Sequence, residues 1–281
     1  VDSTSGQMTV DSVKKCIKIN KIKKVKAIIN MYLAGAPRDI KGFYNLKKKL
    51  GCYLIEDACH AFGSNYFVGN KHYKIGSCKH SDICTFSFHP LKSITTGEGG
   101  AITLNSKKLY DKIILLRSHG IVKSKKYWKY DVMEPGYNLR LSEINAALGL
   151  SQIKQLNKFI NHRRYIFKTY HKKLNSFRDI ISIISPEKNT SSANHLVLAK
   201  IDFKNLKINK DEFITHLYKK KIILHYHYIP IFMFKYYKKI KGDFKESKKY
   251  FNNTISLPIY YKMKKSEIDK VINEIKKTII K

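Results

Sequence analysis

The first half of the chain alternates short apolar runs with amphipathic stretches: VKAIINMYLAG (25–35), PRDIKGFYNLKKKLG (37–51), CYLIEDA (52–58), SDICTFSF (81–88), AITLN (101–105) and SKKLYDKIILLRSHG (106–120). Runs rich in Ile, Val, Phe and Tyr suit buried strands, whereas apolar positions recurring every three or four residues suit helices packed along one face. Taking turns, they predict an α/β layer around a largely parallel sheet. Gly35-Ala36-Pro37 separates the first strand from the following helix, with Pro37 acceptable in a first helical turn, where its missing N–H has no partner to lose. Gly51 stands where that helix needs a residue at ease in the left-handed conformation.

From Leu141 to Phe177 the positions Ile144, Ala147, Leu148, Leu150, Ile153, Leu156, Phe159 and Ile160 keep a helical spacing, which predicts one long helix, straight or kinked, leaving the first domain. Beyond it, HLVLAKID (195–202), KDEFITHLYKKK (210–221), IILHYHYI (222–229) and SEIDKVINEIKKTII (266–280) predict a smaller α+β unit. The expected division is a large domain over 1–165 and a small one over 166–281.

At 281 residues and 43% hydrophobic content, the chain can bury one large core or two unequal ones. Cys16, Cys52, Cys59, Cys78 and Cys84 form an odd set with no C-x-x-C pair, which argues against a disulfide framework or a zinc ribbon and for reduced thiols. No apolar run reaches the ~18 residues of a membrane span. VDSTSGQMTV also lacks the basic and apolar regions of a secretion signal. The expectation is a soluble, cytoplasmic protein without a membrane partner.

The net charge of +34 brings nucleic acid to mind, because lysine and arginine neutralise phosphates and release counterions. Yet only six of the 55 basic residues are Arg, the planar fork that such sites favour, and the Lys are spread throughout. A solvated lysine surface without a nucleic-acid partner is expected, one that attracts an anionic substrate.

Two segments carry candidate chemistry. LIEDACHAFG (54–63) is an apolar strand ending in two acids and a small-residue turn; in open α/β sheets ligands bind outside the carboxyl ends of strands, so Asp57 would face a cleft, although an acid there also suits an ordinary turn. TFSFHPLKSITTGEGGAI (85–102) follows a strand with a loop bearing Lys92 among Ser, Thr and Gly. A lysine used covalently must give up its proton, which burial among residues such as Phe88 and Leu91 would favour, although in a chain so rich in lysine an ordinary surface lysine fits the residues as well. Gly97-Glu98-Gly99-Gly100 lets the backbone approach a ligand, and Ser87 and Thr95 offer hydroxyls to a phosphate.

Together with LLRSHGI, GYNLRLSEINAALGLSQI, HYHYIPIF and ISLPIY, these segments resemble, in order and over nearly the whole chain, the signature blocks of the DegT family of nucleotide-sugar aminotransferases. The resemblance implies a pyridoxal 5'-phosphate-dependent transferase of fold type I, like aspartate aminotransferase, with a large mixed-sheet domain and a small α+β C-terminal domain. FSFHP-x-KSITT-x-EGGA and HYIP are most similar to members that aminate a UDP-linked 4-keto-6-deoxy-N-acetylhexosamine in pseudaminic acid biosynthesis, with glutamate as amino donor. Other members act on other keto sugars, and those with His in place of the lysine dehydrate sugars instead.

By this resemblance Lys92 is the catalytic lysine that binds the cofactor aldehyde and shuttles the proton, and Asp57 pairs with the pyridinium nitrogen. His60 contacts the ring or its 3-hydroxyl, Ser87 binds the phosphate, and Asn138 and Arg140 reach the cofactor phosphate of a neighbouring subunit, which implies a homodimer with shared active sites. His227 is expected on the substrate side, with His225 equally available by spacing. No metal is implied. Compared with the family, VDSTSGQMTV begins inside the large domain, past a helix whose N-terminus binds the cofactor phosphate. Weak cofactor binding and slow or absent turnover are therefore expected of the isolated chain, and a non-catalytic remnant of the fold is the alternative.

Overall fold

The computed structural model describes residues 1–126, 128–206, 208–237 and 239–280. After α1 (Val10–Ile19), strand β1 (Ala27–Met31) leads into α2 (Ile40–Leu50) and back to β2 (Tyr53–Asp57). A hairpin of β3 (Asn65–Val68) and β4 (Lys71–Lys74) precedes β5 (Ile83–Ser87), β6 (Gly100–Leu104) and α3 (Lys107–Arg117). A short hairpin of β7 (Ile121–Lys123) and β8 (Tyr130–Val132) leads to α4 (Glu143–Ile153) and α5 (Leu156–Leu174). The remainder comprises β9 (Ile181–Ile183), β10 (Thr190–Ser191), β11 (Val197–Ile201), α6 (Lys210–Lys219), α7 (Lys245–Asn253), β12 (Thr254–Leu257) and α8 (Lys265–Ile280).

The principal sheet runs β1-β2-β5-β6, with β1, β2 and β5 parallel and β6 antiparallel to β5. Its register aligns Met31, Asp57 and Thr85, so the carboxyl ends of three strands open at one place. Ile28 and Leu54 point from one face into a core with Phe43 and Leu46 of α2, while Met8, Val10 and Val13 pack at its edge. Asp39 caps α2 by accepting from Gly42 N–H at 3.0 Å, and Gly51 ends it with φ of 62°. Pro37 thus lies before the cap and outside the helix, whereas Gly51 plays its expected part.

A second core gathers Ile166, Tyr170 and Leu174 of α5 with the sheet β12-β11-β9, Phe213 and Leu217 of α6, and Ile268, Ile272 and Ile275 of α8. The expected single helix over 141–177 is broken at Lys154 and Gln155 into α4 and α5. The two halves differ in surroundings: α5 buries Phe159, Ile160, Ile166, Tyr170 and Leu174, while α4 buries nothing and leaves Ile144 83% and Leu150 65% exposed. Segment 222–229 alternates buried Ile222 and Leu224 with exposed Ile223 and His225, as a strand does, yet pairs only at His225–Ser256. β12 has only four residues to offer, and Pro230 has no N–H to extend the ladder. Among the described residues no helix is long and apolar enough to cross a membrane.

Candidate active site

Asp57 closes β2, and its Oδ1 accepts the N–H of Cys59 at 3.1 Å, a tight Asx turn that bends the chain directly out of the strand. Ala58 and Ala61 are wholly buried here, where the backbone is held by Ala58 N–H to Thr85 O at 2.9 Å. The turn carries His60 inward, to 2% exposure. Its Nε2 meets the hydroxyl of Tyr228 at 3.1 Å, and its ring lies 4.3 Å from that of His195.

Lys92 sits in the loop that joins β5 to β6. Phe88 N–H donates to Gly99 O at 2.8 Å, Thr96 N–H to Phe88 O at 3.0 Å and Lys92 N–H to His89 O at 2.9 Å, so the loop is a closed, self-bonded unit. Gly97 turns it with φ of 80°, a conformation that L side chains rarely adopt. Thr95 is consumed by this structure: its hydroxyl donates to Phe88 O at 3.0 Å and accepts from Gly97 N–H at 2.9 Å, so it belongs to the loop rather than to a phosphate. Leu91 is 74% exposed and does not enclose Lys92; Ser93, Ile94 and Thr96 turn inward instead.

Electrostatics tie the lysine to the turn after β2. Burial pulls the Lys92 amine below the usual lysine range, while Cys59 and Asp57 beside it act in the opposite sense. Burial, with the Asp57 carboxylate, pushes the Cys59 thiol up to about 11, so the thiol keeps its proton. His60 is pushed down to about 3 by burial, then by the charge of Lys92 and by His227. His227 falls to about 4 through burial, His225 and Lys92. Burial raises the Tyr228 phenol, aided by Asp57 and Cys59.

Lys92 is thus electrostatically coupled to Asp57, His60 and His227. The two candidate histidines differ in setting: His227 Nδ1 lies 2.7 Å from Ser256 Oγ, whereas His225 is exposed and engaged through its backbone. Ser87 ends β5 and accepts a long bond from His89 N–H at 3.4 Å, leaving its O–H to donate. Asn138 and Arg140 stay apart: both are exposed, on a stretch held by the Ser118–Asn138 bridge and by Leu139 N–H to Arg117 O at 3.0 Å. Sequence reasoning missed Tyr228 and His195; the first stood within HYHYIP, while the second gave only a lone histidine before an apolar strand.

These residues suit pyridoxal phosphate. An amine whose charged form is disfavoured lies within electrostatic range of a carboxylate, and His60 Nδ1 is buried with no hydrogen-bond partner beside them. One donor, one acid and one imidazole at a strand-end opening match an aldehyde-bearing ring with a protonated nitrogen.

The profile of the DegT/DnrJ/EryC1/StrS aminotransferase family matches residues 1–276. The UDP-4-amino-4,6-dideoxy-N-acetyl-beta-L-altrosamine transaminase of Campylobacter jejuni serotype O:23/36 is 39% identical over 221 residues, covering 78% of this chain and 56% of that protein. The solved structure of Helicobacter pylori PseC, an aminotransferase involved in the biosynthesis of pseudoaminic acid, aligns with a TM-score of 0.88 at 29% identity, covering 99% of this chain and 72% of that one. The PLP-form of the sugar aminotransferase Spr1654 of Streptococcus pneumoniae aligns at 0.84 with 25% identity, covering 100% and 74%. The chain thus spans a little over half the length of its Campylobacter relative and about three quarters of these solved structures. Its fold is that of the fold type I sugar aminotransferases, and with Lys92 and Asp57 set at the strand ends it belongs to the DegT/DnrJ/EryC1/StrS aminotransferase family, whose cofactor is pyridoxal phosphate.

Proposed function

We propose that this chain is the catalytic body of an aminotransferase that passes an amino group from glutamate to the 4-keto carbon of a UDP-linked 4-keto-6-deoxy-N-acetylhexosamine, for bacterial surface or flagellar sugars such as pseudaminic acid. The observation that carries the reading is a half-buried Lys92, its amine lowered by burial, in electrostatic contact with Asp57 beyond the end of β2. The likeness to the Campylobacter transaminase and to PseC supports the substrate class.

Pyridoxal phosphate, when bound, supplies an aldehyde that carries the amino group and a ring that accepts an electron pair. Lys92 would be the residue that holds the cofactor and moves the substrate proton, and burial lowers its amine in the direction that both tasks need. The Asp57 carboxylate would hold a proton on the ring nitrogen. His60, neutral, would orient the ring, and the Ser87 hydroxyl would donate to the phosphate. His227, brought from segment 222–229, faces the sugar.

Asn138 and Arg140 would serve a second copy's site in a cytoplasmic homodimer. That proposal is supported by their outward position and by the apolar surface around them, which includes Tyr137, Leu139 and Ile144. A large unit over 1–165 and a small one over 166–281 are supported by the second core, which takes up α5 from Ile166 onward, although the division falls inside a continuous helix.

The test is to incubate the protein with pyridoxal phosphate, glutamate and the UDP-linked 4-keto sugar, and to follow formation of the amino sugar together with 2-oxoglutarate. Equal formation of both supports the reading. Absence of both, from protein that binds the cofactor and transaminates another nucleotide-linked keto sugar, sinks the substrate assignment.

A further inference from the structure

Behind His60 lies a second imidazole with no part in the proposed reaction. His195, in the coil before β11, is 8% exposed, and its ring meets that of His60 at 4.3 Å between centroids and 38° between planes. Its N–H donates to Ala34 O at 3.0 Å, and its carbonyl accepts from Nη1 of the buried Arg163 at 3.0 Å. The adjacent Gly35 has φ of 80°, and a Cβ there would stand 2.5 Å from the carbonyl oxygen of His60. The Gly35 carbonyl in turn accepts from the hydroxyls of Ser64 and Ser192, at 2.7 and 2.8 Å. One turn therefore pins the backbones of both histidines, and this fixes how their rings meet.

We infer that His195 is a positioning residue for the cofactor site: it backs the His60 imidazole, holding the ring in one plane and in its neutral form while Tyr228 holds Nε2. The inference rests on the aminotransferase reading, because only through His60 does position 195 act on the cofactor ring.

Apart from its own turn, the groups that face His60 oppose a proton there or offer none. Lys92 comes from the β5–β6 loop, His227 and Tyr228 from segment 222–229, and His195 from the opposite side with the Arg163 guanidinium of α5 behind it. Asp57 and Cys59, on the same turn as His60, are the groups of opposite tendency, and Asp57 is already engaged by the Cys59 N–H. Both Nδ1 atoms are buried without a partner, which an uncharged ring tolerates far better than an imidazolium. Burial carries His195 well below the usual histidine range too, so it does not relieve His60 by taking a proton itself. Removing the His195 ring opens the back of His60 to water and lowers the cost of its charged form.

The experiment is an NMR titration of the His60 imidazole in cofactor-free protein, for wild type, His195→Ala and His195→Phe, paired with the pH profile of absorbance after pyridoxal phosphate is added. His195→Ala is expected to raise the His60 titration by about one pH unit or more, tenfold in proton affinity, and to move the absorbance profile with it. His195→Phe keeps an apolar ring of similar size and is expected to restore the wild-type titration. Should His195→Ala fail to fold, as judged by circular dichroism, His195→Gln takes its place with the same expected rise. An unchanged His60 titration in a folded variant lacking the ring overturns the inference, as does a His195→Phe protein that titrates like His195→Ala. Failure of wild-type protein to take pyridoxal phosphate on Lys92 is a different outcome: it overturns the functional reading, and with it the meaning of position 195 for a cofactor, whatever the titration returns.

Discussion

The Tyr228 hydroxyl and Nε2 of His60 lie 3.1 Å apart, a bond between residues 168 positions apart in the chain. It fastens segment 222–229, whose only ladder contact is His225 with Ser256, to the turn that carries Asp57. Tyr228→Phe removes the bond and keeps the ring. A neutral hydrogen bond is worth about 0.5–1.5 kcal/mol net, so pyridoxal phosphate affinity is expected to fall about three- to tenfold while the thermal midpoint moves little. An absorbance titration with the cofactor checks it.

Acid stability follows from the same cluster. His60 and His227 titrate at about 3 and about 4 in the fold, against about 6.5 in an unfolded chain, so between those values the unfolded state binds more protons. Stability is therefore full above about pH 6.5 and declines as pH falls toward 4, with His60 alone contributing at most about 1.4 kcal/mol per pH unit. Denaturant melts across that range should give a flatter curve for His60→Gln than for wild type.

Gly35→Ala should be costly. The residue sits at φ of 80°, and the added methyl would meet the backbone oxygen of His60 at 2.5 Å, an atom that cannot swing aside. A loss of about 2 kcal/mol or more is expected in urea unfolding. A neutral result would mean that this turn is looser than its hydrogen bonds imply.

Legibility in the sequence followed apolar patterning, which burial explains only in part. Strands β1, β2, β5 and β11 and helices α2, α6 and α8 were readable because one face or both meet a core, which writes a period into the residues; β6 and α3 were read as well, although neither buries a residue outright. α1 was missed although Val10 and Val13 line one face at the edge of a core, and the three-residue strands of the β7–β8 hairpin are too short to show a period. A kink between α4 and α5 was allowed for, but its place was not legible because the apolar spacing continues across Lys154 and Gln155 with neither Gly nor Pro to mark it. At the site, Asp57 and Lys92 could be named because each stands in an ordered motif at a strand end. Tyr228 and His195 could not, since their roles arise from contacts made over long separations.

The outward apolar face of α4 yields a prediction about assembly. Ile144 and Leu150 are 83% and 65% exposed on a helix beside Asn138 and Arg140, a surface suited to a second copy of the chain. Ile144→Asp is expected to weaken self-association at least tenfold in sedimentation velocity, with the circular dichroism spectrum unchanged. A monomeric wild-type protein would remove the basis for shared active sites.

The most direct measurement is borohydride reduction of the protein in excess pyridoxal phosphate, followed by peptide mapping of the fixed pyridoxyl group. Lys210 is the internal control: burial pushes its amine down to about 8 against the opposing charge of Asp211, so a lowered amine beside a carboxylate is present there without the residues of the candidate site. The account predicts that the label falls chiefly on Lys92 and is lost in Lys92→Ala. A label that settles on Lys210 or elsewhere, and persists undiminished in Lys92→Ala, contradicts it.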